Sequence, residues 1–259
     1  MGAIDRTHTR IYRRQGENER QRFPFGSPTA DHHKTFLYAR PNVHHMLKLV
    51  DSGVPGLDSA LGGGFYRPST VLVSGDEGVG KTTIVLQSLV FGVRNHERGL
   101  YVMPLRETMN VSLSYLERMG FFDKAIMDRG DFTIIELSDV INNPEVDLVE
   151  MLVETVKKGE FERVALDDVG QFAAVLGPDY GRFLITLTAA LMKQNCMVYL
   201  IAADPDPALL SLCDGILRLA LAERRTIQIV KMRGNRHTTT PIAMELSEMG
   251  IMVLPDSRE

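Results

Sequence analysis

Residues 75–82 read Gly75-Asp76-Glu77-Gly78-Val79-Gly80-Lys81-Thr82, a G-x-x-x-x-G-K-[ST] pattern. Such a pattern works only where a strand runs into a tight turn and then a helix. The flanks comply: Ser69-Thr70-Val71-Leu72-Val73-Ser74 is apolar and β-rich, and Thr82 to Arg94 carries apolar residues at helical spacing. Glycines at 75, 78 and 80 let backbone N–H groups converge on phosphate oxygens at the positive end of that helix, and Lys81 adds a point charge. The run from Gly75 through Thr83 is therefore expected to cradle ATP, with Thr82 holding Mg2+ through its hydroxyl.

A chain of 259 residues, 44% hydrophobic and 24% charged, can bury one large α/β core. Residues 1–45 read as a basic, extended arm and 46–259 as the domain proper. Residues 1–40 hold eight Lys/Arg against four Asp/Glu, so with a net charge of −4 overall the remainder carries −8. An acidic body argues against nucleic acid as the main partner, although an arginine-bearing arm could neutralise phosphates. Five histidines, His8, His32, His33, His44 and His45, fall in the arm without the acid or cysteine partners of a metal site. Cys196 and Cys213 lie in apolar stretches outside any C-x-x-C and read as core residues. No apolar run reaches 18 residues, so no membrane insertion and a cytoplasmic location are expected.

Beyond the first helix, Leu100–Met103 and Phe132–Leu137 read as strands and Val111–Met119 as a helix. A helix opening at Pro144 carries the stripe Val146, Val149, Leu152, Val153 and Val156. Val164–Leu166 is a buried strand, Phe183–Met192 a helix and Met197–Ala202 a central strand. Alternating β and α with continuously apolar strands predicts an α/β fold with a mostly parallel sheet between helices. Four β segments without intervening helices, Gly215–Ala220, Thr226–Met232, Ile242–Leu246 and Ile251–Leu254, should add antiparallel hairpins at one edge.

Two further places carry chemistry. Glu162-Arg163-Val164-Ala165-Leu166-Asp167-Asp168 is an apolar strand ending in carboxylates 86 positions after Lys81, where an acid would fix the metal with Thr82. Asp167 is the expected metal acid, and Asp168 a competitor for the catalytic base. Glu107, past the carboxyl end of the strand at 100–103, is the first candidate to polarise an attacking water.

The spacing of Gly53-Val54-Pro55-Gly56-Leu57-Asp58, Leu61-Gly62-Gly63-Gly64 and the phosphate loop resembles KaiC-like ATPases of the RecA/RadA superfamily, over about residues 47–254. Lys231-Met232-Arg233-Gly234-Asn235-Arg236-His237 is similar to the K-[ML]-R-G-x-x-H segment of KaiC domains. The resemblance implies a RecA-type P-loop sandwich and a hexameric ring in which Lys231, Arg233 and His237 reach the nucleotide of the adjacent subunit. It further implies a homo-oligomeric, nucleotide-dependent switch for a protein partner. The family carries two adjacent glutamates where this chain offers Arg106-Glu107. That departure implies slow hydrolysis, or a non-hydrolytic ATP-bound scaffold like the accessory proteins of archaeal motility motors; a DNA-handling recombinase relative is the third expectation. Arg106 should also stabilise Glu107 as carboxylate.

Overall fold

A computed structural model of the protein describes residues 48–254. The basic arm, its histidines and the boundary expected at residue 46 lie outside the described residues.

The described chain opens with β1 (Lys48–Val50), α1 (Leu57–Leu61) and β2 (Phe65–Arg67), the two strands pairing antiparallel. Next come β3 (Ser69–Ser74), α2 (Lys81–Arg94), β4 (Gly99–Val102), α3 (Met109–Leu116), α4 (Ala125–Asp128) and β5 (Phe132–Ile135). They are followed by α5 (Leu148–Gly159), β6 (Arg163–Leu166), α6 (Val169–Leu176), α7 (Tyr180–Lys193), β7 (Met197–Ala202) and α8 (Pro207–Leu212). The strands β8 (Gly215–Leu221), β9 (Arg225–Met232), β10 (Ile242–Ser247) and β11 (Gly250–Val253) close the fold.

Nine strands form one sheet in the order β11-β10-β9-β8-β3-β7-β6-β4-β5. From β8 to β5 every neighbouring pair is parallel, whereas β8, β9, β10 and β11 pair antiparallel in succession. The mostly parallel sheet with terminal hairpins is thus present. Every residue of β3, β4, β6 and β7 is buried, because helices cover both faces. Alternation divides the core: Val71, Val73, Tyr101 and Tyr199 pack with α2 on one side. Leu72, Val102, Leu166 and Leu200 pack with α5, α6 and α7 on the other.

Three local expectations change. The helix expected from Pro144 begins at Leu148, because the Asp147 carboxylate accepts from the Glu150 N–H at 3.0 Å and sets the first turn there. The glycine-rich segment 53–64, for which no element is expected, contains α1 and joins β1 to β2. A helix, α6, starts directly after Asp168, whose carboxylate caps it through Gly170 N–H at 2.9 Å. Its run Val169-Gly170-Gln171-Phe172 gave no helical signal of its own, since the cap lies in a residue read as catalytic.

Candidate nucleotide site

The carboxyl ends of β3, β4 and β6 deliver the loop 75–80, the segment 104–107 and the pair Asp167-Asp168 to one edge of the sheet. There they line a cavity of about 570 Å³, within the range of small-molecule sites. Gly78, Gly80, Lys81, Thr82 and Thr83 form its floor, with Glu77 beside them. Gly80 has φ 111° and starts α2 at Lys81, aiming the helix's free N–H groups into the cavity. Gly75 serves differently: at φ +142°, a Cβ there would lie 2.1 Å from the Leu219 carbonyl oxygen, so glycine lets the loop rest on β8. Val79 is a core residue, 1% exposed, and Asp76 contributes its carbonyl.

Lys81 is buried, and its Nζ donates to Gly75 O at 2.7 Å and Asp76 O at 2.8 Å. The Thr82 hydroxyl donates to Asp167 Oδ2 at 2.6 Å, and the Tyr101 hydroxyl donates to the same oxygen at 2.9 Å. Tyr101 had no sequence signal beyond an apolar strand. Only the register that sets β4 beside β6 brings it to the acid. Hydroxyl, carboxylate and ammonium groups around a phosphate-sized loop are the hard oxygen donors and cation that a triphosphate with Mg2+ requires, so the residues present fit both.

Burial pushes the Asp167 carboxyl up to about 6, the charges of Asp168 and Glu107 adding to it and the hydrogen bonds from Thr82 and Tyr101 opposing it. Folding therefore retains a proton that the unfolded chain releases near pH 4. Metal-free stability should fall as pH rises from about 4 to 6 and stay lowered above that. Asp167→Asn is expected to raise metal-free stability at pH 7.5 by up to about 3 kcal/mol, a gain that vanishes below pH 4. Urea unfolding of both chains across pH checks it.

Glu107 lines the cavity and accepts from the Ser112 hydroxyl at 2.8 Å, so α3 fixes it. Arg106 lines the same cavity but forms no ion pair with Glu107 among the described residues, and its backbone N–H donates to Gln171 Oε1 at 3.2 Å. Gln171 and Ser112 are cavity residues that sequence reasoning missed; both sit on helices whose facing is settled by packing. The far wall is apolar, with Leu86, Tyr115, Leu116, Met119, Phe121 and Leu246. Cys196 and Cys213 are buried, and burial pushes both thiols up to about 12, so they behave as core residues.

Lys231, Arg233 and His237 do not join this cavity. Met232 pairs with Gly215, which pairs with Val71, so β9 runs away from the phosphate loop and its exit lies toward the opposite end of the sheet. Lys231 Nζ donates to the Leu210 and Cys213 carbonyls, and Arg233 pairs with Asp214 at 3.0 Å while 62% of its side chain stays exposed. His237 Nδ1 lies 3.4 Å from the Asn235 carbonyl. The turn is seated on the glycine-rich lead-in: Asn235 Nδ2 donates to Gly64 O at 2.8 Å and Thr238 N–H to Ala60 O at 2.9 Å. A Cβ on Gly62, at φ +75°, would meet the Arg236 carbonyl at 2.1 Å. Two motifs far apart in sequence are thereby one packed unit.

Fold and site together define a P-loop nucleotide-binding protein of the RecA type. Residues 50–258 match the family model "ATPase: KaiC". The chain belongs to the KaiC ATPase family. It is 30% identical over 238 residues to a UPF0273 protein of Aeropyrum pernix, covering 82% of this chain and 95% of that one. It is 28% identical over 251 residues to the circadian clock oscillator protein KaiC of Parathermosynechococcus lividus, covering 88% of this chain and 46% of that one. The crystal structure of a KaiC-like protein from Pyrococcus horikoshii superposes with a TM-score of 0.72 at 25% identity, covering 81% of this chain and all of that one. No helix among the described residues is long and apolar enough to cross a membrane.

Proposed function

We propose that the chain binds ATP with Mg2+ at this cavity, hydrolyses it slowly, and works in the cytoplasm as an oligomeric switch whose nucleotide state is read by a protein partner. The observation that carries the reading is the joining of Thr82 and Asp167 at 2.6 Å beside a buried Lys81, at the mouth of a glycine loop. Magnesium, when bound, neutralises charge on the β- and γ-phosphates. Glu107, steadied by Ser112, orients the attacking water, with Asp168 tied to its helix cap as the weaker candidate.

The separation of charges supports assembly. Lys231, Arg233 and His237 stand away from the cavity of their own chain, so they serve a nucleotide only if a second copy brings them to it. A head-to-tail contact whose rotation closes makes a ring, and the resemblance to KaiC domains sets the expectation at six copies. Arg106 lines the cavity beside Glu107, which favours a second reading in which ATP is held without turnover. Both are tested on the full chain by light scattering and phosphate release. The preferred outcome is a severalfold rise in mass with Mg-ATP, lost in Arg233→Ala, and turnover that falls at least tenfold in Glu107→Ala. ATP-driven assembly with no phosphate release supports the scaffold; a monomer in every condition overturns the trans role of the 231–237 segment.

A further inference from the structure

Tyr101 is 2% exposed at the middle of β4, on the face of the sheet that packs against α2. Its partner across the register on β6 is Ala165, and the small side chain leaves the phenol room to extend past the end of β6 to Asp167. Packing alone would be met by phenylalanine; the hydroxyl is there for the carboxylate. A buried phenol needs an acceptor. Here that acceptor is the oxygen already engaged by Thr82, so two donors from two elements, α2 and β4, hold one carboxylate oxygen. Two such bonds fix the plane of the carboxyl group, and no donor among the described residues engages its other oxygen.

We propose that Tyr101 is a positioning residue for the magnesium-bound nucleotide: its hydroxyl holds the Asp167 carboxylate against Thr82 without itself touching nucleotide or metal. The inference rests on Thr82 and Asp167 being the magnesium groups. A metal that binds through this acid gains from finding it already oriented, whereas nucleotide held without metal by Lys81 and the loop N–H groups does not. The hydroxyl therefore acts on the metal-dependent part of affinity alone.

The test is Tyr101→Phe in the full chain, with folding verified by circular dichroism, since the substitution keeps the buried volume. A fluorescent ATP analogue is titrated into wild type and variant, once with Mg2+ and once with excess EDTA. The expected result is affinity in EDTA within about twofold of wild type and a loss of about tenfold in Mg2+, the effect of one hydrogen bond to a charged group. Half-saturation in a Mg2+ titration at fixed nucleotide should shift upward by a similar factor. Equal losses in both conditions, or no loss in either, overturn the positioning role. Wild-type binding that ignores Mg2+ overturns the magnesium reading of Thr82 and Asp167, and this inference with it.

Discussion

Lys81→Ala abolishes saturable nucleotide binding while leaving a folded chain: affinity for Mg-ATP is expected to fall at least a hundredfold, measured by titration with a fluorescent ATP analogue. The ammonium donates to the Gly75 and Asp76 carbonyls, so the loop is folded around it. Phosphate oxygens taking the place of those carbonyls would give the ammonium an opposite charge as well as an acceptor. Alanine removes both the cation and the organiser of the loop. Because ligand affinity couples to stability, Mg-ATP should raise the unfolding temperature of wild type and leave Lys81→Ala unmoved. An Ala variant that still binds within tenfold of wild type would mean that the ligand's anionic end lies elsewhere.

Arg163→Met is expected to cost about 3–5 kcal/mol of folding free energy in urea unfolding, a large share of a domain's usual total. Arg163 begins β6 with 2% exposure and ties four segments together. Its Nη1 donates to Ser88 O and Oγ at 3.0 and 2.9 Å, its Nη2 to Asp51 O at 3.0 Å, and its Nε to Glu97, while the Phe91 ring lies 5.9 Å away. Glu97 also binds Arg67 at 2.8 Å, and Arg67 reaches Glu162 at 3.0 Å. Methionine fills much of the volume but leaves the half-buried Glu97 with Arg67 alone and the Asp51 carbonyl without its donor. Glu97→Gln on top of Arg163→Met should recover part of the loss, since an uncompensated buried charge is the larger cost. If the single variant loses less than about 1 kcal/mol, the network is ornamental.

This network and the Tyr101–Asp167 bond mark what sequence reading could not reach. Gly75-to-Thr82 announces itself because eight consecutive residues carry the whole P-loop pattern, and Asp167 because an apolar strand ends in acid. The hairpin strands from Gly215 onward were legible through their alternation and the absence of helices between them. Glu97 lies 30 positions after Arg67 and 66 before Arg163, and all three read as ordinary charges near element ends. Helix α6 escaped because its start is set by the Asp168 side chain, not by a periodic stripe.

The sequence by itself determined that a glycine-rich P-loop would sit between a buried strand and a helix, that Thr82 and Asp167 would lie at one end of the sheet beside it, and that the sheet would end in hairpins. These follow from local patterns, where spacing along the chain equals proximity in space. Only the tertiary structure decided that Tyr101 reaches Asp167, that Gly62 and Gly64 carry the turn after Met232, and that Lys231 and Arg233 lie away from their own cavity. Those facts depend on strand order and register, which are fixed by how two apolar faces of one sheet are buried together and leave no trace in any single segment.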